Sequence, residues 1–290
     1  GYKQEDGARY HARDLAIVRA KRASCPVILG SATPSLETLR QVDAGRYQVT
    51  RLDQRAGGAQ APRVDLLDLR DQPLRSGLSD VLLERVASTL KRGEQAMLFL
   101  NRRGYAPVLT CFSCGWVSSC LHCDAHQTWH RGGAKLVCHH CGAQRPVPRV
   151  CPDCGADNLH PLGHGTEQIE AFLAEQFPAV PLLRIDRDAT ARKGSLETLL
   201  GRLAEPGPAL LVGTQMLAKG HDFPAVTLVG VVDADSGLFS ADFRAPERLA
   251  QLLVQVSGRA GRGERPGQVL IQTRHPDHPL LQVLVRSGYR

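Results

Sequence analysis

The sequence lacks any long hydrophobic run. Its longest apolar stretches, such as Val226–Val232 and Ala96–Leu100, fall far short of the ~20 residues that span a bilayer. No charged-then-apolar signal segment opens the chain. A transmembrane or secreted class is thereby excluded for this stretch. No Gly-Lys dipeptide occurs, so the phosphate loop G-x-x-x-x-G-K-[ST] is absent. No Asp-Glu dipeptide occurs either, so there is no Asp-Glu-x-His box. Phosphoryl transfer in a P-loop NTPase needs a phosphate cradle with its Lys and a Mg²⁺-holding Asp. The chain alone is therefore predicted not to hydrolyse ATP. It opens at Gly1 rather than Met and runs directly into an amphipathic stretch. Together with the missing motifs, this reads as a piece of a longer protein.

What is present is a chain of 290 residues, 42% hydrophobic. That is enough apolar content for a packed core, and the length allows about two domains. Lys and Arg number 36 against 29 Asp and Glu, a surplus of +7. The surplus suits a polyanionic partner. Because six of the basic residues are Lys and the rest Arg, it equally suits an Arg-rich proteome.

Eight of the nine Cys lie between 111 and 154 as four C-x-x-C knuckles: Cys111/Cys114, Cys120/Cys123, Cys138/Cys141 and Cys151/Cys154. A C-x-x-C turn holds two thiolates at the edge length of a tetrahedron around Zn²⁺. Gly115, Gly142 and Gly155 follow three of the knuckles, where positive φ lets the backbone wrap a metal. Eight thiolates complete two closed Cys₄ sites, which leave no open position and are structural. A disulfide framework is the weaker reading without a secretory context. The 14 residues between Cys123 and Cys138 lie just under the usual zinc-ribbon gap. This favours a nested pairing: an inner site of Cys120, Cys123, Cys138 and Cys141, and an outer site of Cys111, Cys114, Cys151 and Cys154. Sequential and interleaved pairings stay open on spacing alone. His122, His126, His130, His139, His140 and His160 lie nearby but are surplus as ligands. Cys25 precedes an apolar stretch and reads as a core residue.

Along the chain, residues 9–24 read as a basic amphipathic helix, Pro26–Leu29 as a strand and Ser35–Asp43 as a helix opened by Pro34. Val64–Leu69 reads as a strand, and Ser79–Arg92 as a helix with an N-cap Ser and a Gly stop. Strands are predicted at Ala96–Leu100, Val180–Ile185, Ala209–Val212, Val226–Val232 and Gln268–Gln272. Helices are predicted at Glu167–Phe177, Leu196–Leu203, Pro246–Ser257 and Pro279–Arg286. Apolar strands alternating with helices predict an α/β fold, with a parallel sheet covered on both faces. The cysteine module is inserted after the first strand of that sheet.

Three segments carry chemistry. Gly30-Ser-Ala-Thr-Pro34 follows an apolar stretch, as ligand-binding loops do at strand ends. It is also ordinary turn chemistry. Val212–Pro224 is a strand running into a Gly-punctuated loop with Thr214, Gln215, Lys219 and Asp222. Gln255-Val-Ser-Gly-Arg-Ala-Gly-Arg262 sets Arg259 and Arg262 three apart at a helix end. Both guanidinium groups could reach one polyphosphate; a solvated basic helix end is the plainer alternative.

In this order the segments resemble motifs III, V and VI of superfamily 2 helicases. A longer set is similar to the PriA family of replication-restart DNA helicases (primosomal protein N′). It comprises Tyr2-Lys-Gln, Arg9-Tyr-His-Ala-Arg-Asp14, Gly30–Pro34, Phe99-Leu-Asn-Arg-Arg-Gly-Tyr-Ala-Pro107, the four knuckles, Gly165-Thr-Glu-Gln168, Arg184-Ile-Asp-Arg-Asp188, Gly213–Gly220, Leu238-Phe-Ser-Ala-Asp-Phe-Arg244 and Gln255–Arg262. The resemblance covers essentially the whole chain, and the eight-Cys insertion after Asn101-Arg-Arg-Gly is its specific part.

The resemblance implies a RecA-like helicase domain with a two-zinc insertion, preceded by the C-terminal part of a first RecA-like domain. The expected divisions are 1–78 for the first domain, 79–107 for the start of the second, 108–160 for the zinc insertion and 161–290 for the remainder. The implied activity is an ATP-driven 3′→5′ DNA helicase at stalled forks, using ATP and Mg²⁺ in a complete protein. The zinc pairing implied is again the nested one. Arg259 and Arg262 become arginine fingers, with Gln255, Asp222 and Gly220 facing nucleotide or the interdomain cleft. Thr214, Gln215 and Thr166 would touch the DNA backbone. Tyr10 and His11 would belong to a loop that couples DNA to the ATPase, where stacking on a base contributes ~1–3 kcal/mol. Partners implied are forked or single-stranded DNA, primosome proteins and single-stranded DNA-binding protein, with no membrane, in a bacterial, nucleoid-associated cytoplasmic setting. The alternative is a stand-alone zinc and nucleic-acid binding module, or an interaction scaffold, without catalysis.

Overall fold

The computed structural model describes residues 10–52, 61–101, 108–129, 135–138, 140–161, 166–185, 195–214, 217, 223–240, 242–261 and 265–288. The chain divides into two compact units, 1–49 and 50–290.

The first unit carries α1 (Ala12–Arg22) and α2 (Leu36–Asp43). Ser35 caps α2 by accepting from the Thr38 N–H at 3.3 Å. Arg13 donates to Ser35 Oγ and to Thr38 Oγ1, which ties the start of one helix to the start of the other. Two expectations fail here. Pro26–Leu29 forms no strand, and Cys25 is exposed rather than in a core. Val27, Ile28 and Leu29 stand in solvent, Ile28 at 93%. An apolar tetrapeptide becomes a strand only beside another strand, and none lies next to it among the described residues.

The second unit is built on six parallel strands among the described residues: β1 (Arg63–Asp68), β4 (Gln95–Phe99), β10 (Leu182–Ile185), β11 (Ala209–Gly213), β12 (Val226–Val231) and β13 (Gln268–Thr273). Their order is β1-β13-β12-β4-β11-β10. Strands buried on both faces read as continuous apolar runs, and Ala209–Gly213 and Val226–Val231 are buried at every position. Alternate residues feed two cores. Ala96, Leu98, Leu210, Val212 and Leu270 face Leu82, Val86, Ile169 and Leu173. These last four come from α3 (Asp80–Lys91) and α4 (Thr166–Gln176). Met97, Phe99, Leu211, Val229 and Ile271 face a cluster holding Leu203, Leu249, Leu253 and Leu281. These four belong to α5 (Ser195–Ala204), α7 (Ala245–Ser257) and α8 (Pro279–Ser287); the short α6 (Asp235–Leu238) follows β12. The parallel sheet with helices on both faces is thus the fold class expected.

The expected division at 78/79 does not match the packing. Arg63–Asp68 pairs in register with Gln268–Thr273, so the first edge strand belongs to the same sheet as the last. The apolar side chains of β1 pack there, with Val64 and Leu66 against one core and Leu67 against the other. A short hairpin follows, β2 (Leu74–Arg75) with β3 (Leu78–Ser79). Buried Gln272 fixes it: its Oε1 accepts from Ser79 N–H and Oγ–H at 2.8 Å, and its Nε2 donates to Gly77 O and Val232 O.

The cysteine module leaves the sheet after β4 and returns at α4. It contains β5 (Leu109–Cys111) paired antiparallel with β9 (Leu159–Pro161), and a three-stranded meander of β6 (Thr128–Trp129), β7 (Lys135–Val137) and β8 (Gln144–Pro146). Among the described residues no helix is long and apolar enough to cross a membrane.

Candidate metal centres and motif residues

All four knuckles fold alike. The N–H of each first cysteine donates to the carbonyl five residues on: Cys111 to Trp116, Cys120 to Ala125, Cys138 to Ala143 and Cys151 to Ala156, at 2.8–2.9 Å. In three of them the glycine after the second cysteine has φ between 75° and 85° and donates back to the first cysteine's carbonyl. A side chain there would be strained. In the second knuckle Asp124 stands in the glycine's place.

Strand pairing then chooses which knuckles meet. The β5–β9 pair sets Cys111 opposite Leu159 and brings the first knuckle to the fourth. The meander brings the second to the third. The result is two clusters, Cys111/Cys114/Cys151/Cys154 and Cys120/Cys123/Cys138/Cys141, with the sulfurs of each within 4.8 Å of one another. Opposed sulfurs lie 3.7 Å apart for Cys111–Cys154 and 3.6 Å for Cys114–Cys151, Cys120–Cys141 and Cys123–Cys138. A disulfide needs ~2.05 Å, whereas a tetrahedron of 2.3 Å Zn–S bonds has edges of about 3.8 Å. Both clusters therefore fit Zn²⁺, and the nested pairing is the one the fold builds. The two sites lack an open position and are structural. His122, His140 and His160 are exposed, consistent with histidine being surplus to the ligand sets.

Four thiols this close cannot all ionise alone. In the outer cluster burial pushes Cys111 up, but the N–H groups of Cys114 and Ser113 and the thiols of Cys154 and Cys151 outweigh it and hold the group at about 7. Cys114, raised by burial and by the same neighbouring thiols, goes up to about 12. A dication removes this conflict by binding all four as thiolates.

The zinc module is fastened to the C-terminal end of β13 by contacts that no motif announces. Arg274 lies over the Phe112 ring at 3.6 Å from its centroid. Gly115 lies so close to His275 that a Cβ there would meet its ring at 3.3 Å. Phe239, after α6, takes edge contacts from His126, His275 and His278, with centroids 5.3, 4.4 and 6.1 Å away. Burial, then the neighbouring His278, Arg274 and Arg70 charges, lower His275 to about 4, so these rings pack as neutral groups. Beneath them Asp235 is buried; it accepts from Thr273 Oγ1 and from the Arg274 N–H. Burial raises its pKa. The sequence signal for this contact is thin: polar residues at the end of an apolar strand, where α/β sheets place their sites.

The motif residues are only partly brought together. Gln255 is exposed in the last turn of α7, and Arg259 is buried at 8% exposure just beyond it. Gly261, at φ +68°, donates to Val226 O at 3.0 Å. A Cβ on it would come within 2.3 Å of Gly267 N. This close approach sets the arginine segment against the start of β12. Glu94 lies at the same edge, accepting from Arg92, Thr227 and Arg265 at 2.6–3.0 Å. Arg92 first, then Thr227 and Arg265, hold its carboxyl down at about 2 despite burial. Thr214 is half-buried at the end of β11, Thr166 starts α4, Tyr10 is half-exposed, and His11 is half-buried just before α1. Arg262, Asp222, Gly220 and Gln215 lie outside the described residues.

Comparison with known proteins bears on the same stretch. A family model described as the PriA DNA helicase Cys-rich region domain matches residues 120–146, which begin at the first ligand of the inner cluster. The chain is 54% identical over 289 residues to the replication restart protein PriA of Haemophilus influenzae, covering 100% of this chain and 40% of that protein. It is 47% identical to that of Bacillus subtilis (99% and 36%) and 41% identical to that of Rickettsia conorii (99% and 45%). The chain thus spans about two fifths of the length of these curated relatives. Among solved structures, it is similar to yeast Dbp5 bound to RNA and ADP BeF3, at 13% identity and a TM-score of 0.49, covering 99% of this chain and 54% of that one.

Proposed function

We propose that this chain, which belongs to the PriA family over the stretch it covers, supplies the zinc module and one motor domain of an ATP-driven 3′→5′ DNA helicase that acts at stalled replication forks. The observation that carries this is the whole-length similarity to PriA, in which the family's Cys-rich region falls on the inner Cys₄ cluster. The surplus of +7 then has a partner in DNA phosphates.

In this reading Arg259 and Arg262 are the arginine fingers, stabilising charge on the transferring phosphoryl group. The hydrogen bond from Gly261 to Val226 supports it, since it sets their segment four residues from Asp222 in sequence. Gln255, Asp222 and Gly220 face nucleotide or the cleft. Thr214, Gln215 and Thr166 contact the DNA backbone, and Tyr10 and His11 belong to the coupling loop. Residues 1–49 belong to the preceding motor domain. Primosome proteins and single-stranded DNA-binding protein are partners, in the bacterial cytoplasm near the nucleoid.

The test has two arms. The zinc-loaded chain binds single-stranded or forked DNA with salt-dependent affinity but shows no DNA-stimulated ATP hydrolysis, because it has no phosphate loop. In a PriA-length protein carrying this sequence, Arg259→Ala or Arg262→Ala abolishes ATP turnover while zinc content stays at two. Clear turnover by the chain alone that Arg262→Ala removes, or full turnover by either variant of the long protein, refutes the assignment.

A further inference from the structure

At the C-terminal end of β1 and β13, between the β2–β3 hairpin and the outer zinc knuckle, lies an open cavity of about 580 Å³. It is at the opposite end of the strands from the contact between Gly261 and Val226 at the start of β12. Its wall includes Arg274, Ser113, Asn158, Ser76 and Gln72, with Asp71 on the same lining.

Arg274 is the unusual member. It is 6% exposed, and its Nε is buried with no hydrogen-bond acceptor. Its backbone N–H is spent on Asp235; its guanidinium has the Phe112 face. Among the described residues no carboxylate comes within ion-pair distance of it, although Asp235, Asp233 and Cys111 attract it from further away. A guanidinium carries five N–H donors in a planar fork that matches an oxyanion. Burying one without an acceptor is costly, so a cation held this way at a cavity wall implies that an anion completes it.

The rest of the wall suits the same ligand. Ser113 Oγ accepts from Asn158 Nδ2 at 3.0 Å, which leaves its own O–H to donate. Asn158 Oδ1 is engaged by His160 Nε2 at 2.9 Å, so the amide is fixed in orientation. The hairpin rim is held by buried Gln272. Asp71 and Ser76, two of the three non-glycine residues with positive φ among the described residues, both lie on this wall. Strained backbone of that kind concentrates at functional sites.

We propose that this cavity binds a phosphate group, with Arg274 as the principal anion contact and Ser113 as a hydroxyl donor. The phosphate is either a free anion or part of a nucleic-acid end or backbone; both present the same oxygens. The proposal does not depend on the helicase assignment. Zinc-bound Cys₄ is itself a dianion; an Arg274 that served only that cluster would cost the chain zinc when replaced and leave phosphate binding unchanged.

Inorganic phosphate is titrated calorimetrically into the zinc-loaded chain at low salt. One saturable site is expected, and Arg274→Gln weakens it at least about tenfold. Gln72→Glu, which adds a like charge, weakens it severalfold. Asp71→Asn, which removes one and keeps a residue tolerant of positive φ, tightens it severalfold. A 5′-phosphorylated oligonucleotide that displaces phosphate where its unphosphorylated twin does not identifies a nucleic-acid end as the source. Displacement by both identifies the backbone, and displacement by neither identifies free phosphate. Absence of saturable binding overturns the proposal. So does unchanged binding in Arg274→Gln, or an Arg274→Gln chain that loses zinc while binding phosphate as before. Should Arg274→Gln not fold, failure of the Asp71 and Gln72 variants to move the affinity in opposite directions overturns it alone.

Discussion

Replacing cysteines in pairs tests the nested zinc pairing directly. Cys111 and Cys154 sit in one cluster with sulfurs 3.7 Å apart, and Cys111 and Cys120 sit in different clusters. A structural Zn²⁺ site contributes about 10–16 kcal/mol at neutral pH; at 1.4 kcal/mol per tenfold, an intact site holds its metal through gel filtration against weak chelators. Losing one thiolate opens a closed Cys₄ site, which then gives up its metal to the chelator during gel filtration, and losing two destroys it. Cys111→Ser with Cys154→Ser is therefore expected to leave one Zn per chain, and Cys111→Ser with Cys120→Ser to leave none. Sequential pairing predicts the reverse, and interleaved pairing predicts none for both. The assay is metal content by atomic emission, with protein measured by amino-acid analysis. The motor sheet should survive, because its two cores contain no metal ligand, so far-UV circular dichroism and the main melting transition serve as the folding control. Zero Zn in the Cys111/Cys154 pair, with that control intact, would refute the geometry.

Other outcomes follow from single contacts. Gly261→Ala puts a Cβ 2.3 Å from Gly267 N at φ +68°; overpacking and left-handed strain together should lower stability by about 2–4 kcal/mol, read from a urea midpoint. Gln272→Leu leaves Ser79 N–H, Gly77 O and Val232 O without their partner and should cost about 2–5 kcal/mol, seen as a lowered melting temperature. Glu94 has its folded pKa depressed to about 2 from 4.5. Its contribution is therefore complete above about pH 4.5 and lost as pH falls from there towards 2. Glu94→Gln should flatten the acid limb of a stability-against-pH curve over that window, and an unchanged limb would count against the Arg92–Glu94–Arg265 network. Phe239→Ala removes the ring that packs with His126 of the module and His275 of the strand end. Hydrogen exchange in residues 108–129 should rise while that of β12 does not.

The sequence by itself determined the alternation of strands and helices and the existence of two zinc sites. Those signals are local: apolar runs such as Ala209–Gly213 flanked by amphipathic helices, and cysteines two residues apart followed by glycine. Ser79 is a legible cap for the same reason, since a cap is a contact across three residues. Tertiary structure decided what depends on contacts distant in sequence. Spacing left three knuckle pairings open, and the β5–β9 pairing chose one by carrying Cys111 to Cys154. Pro26–Leu29 and Val64–Leu69 both read as strands, but only the second found a partner, in Gln268–Thr273 some two hundred residues on, so only it became one, at Arg63–Asp68. That same pairing draws 63–68 into the second unit. Arg274 stands two residues past the last expected strand, and only the fold buries it against Phe112 with its Nε lacking an acceptor. Burial and partnership are properties of the assembled surface, and no short window of sequence contains them.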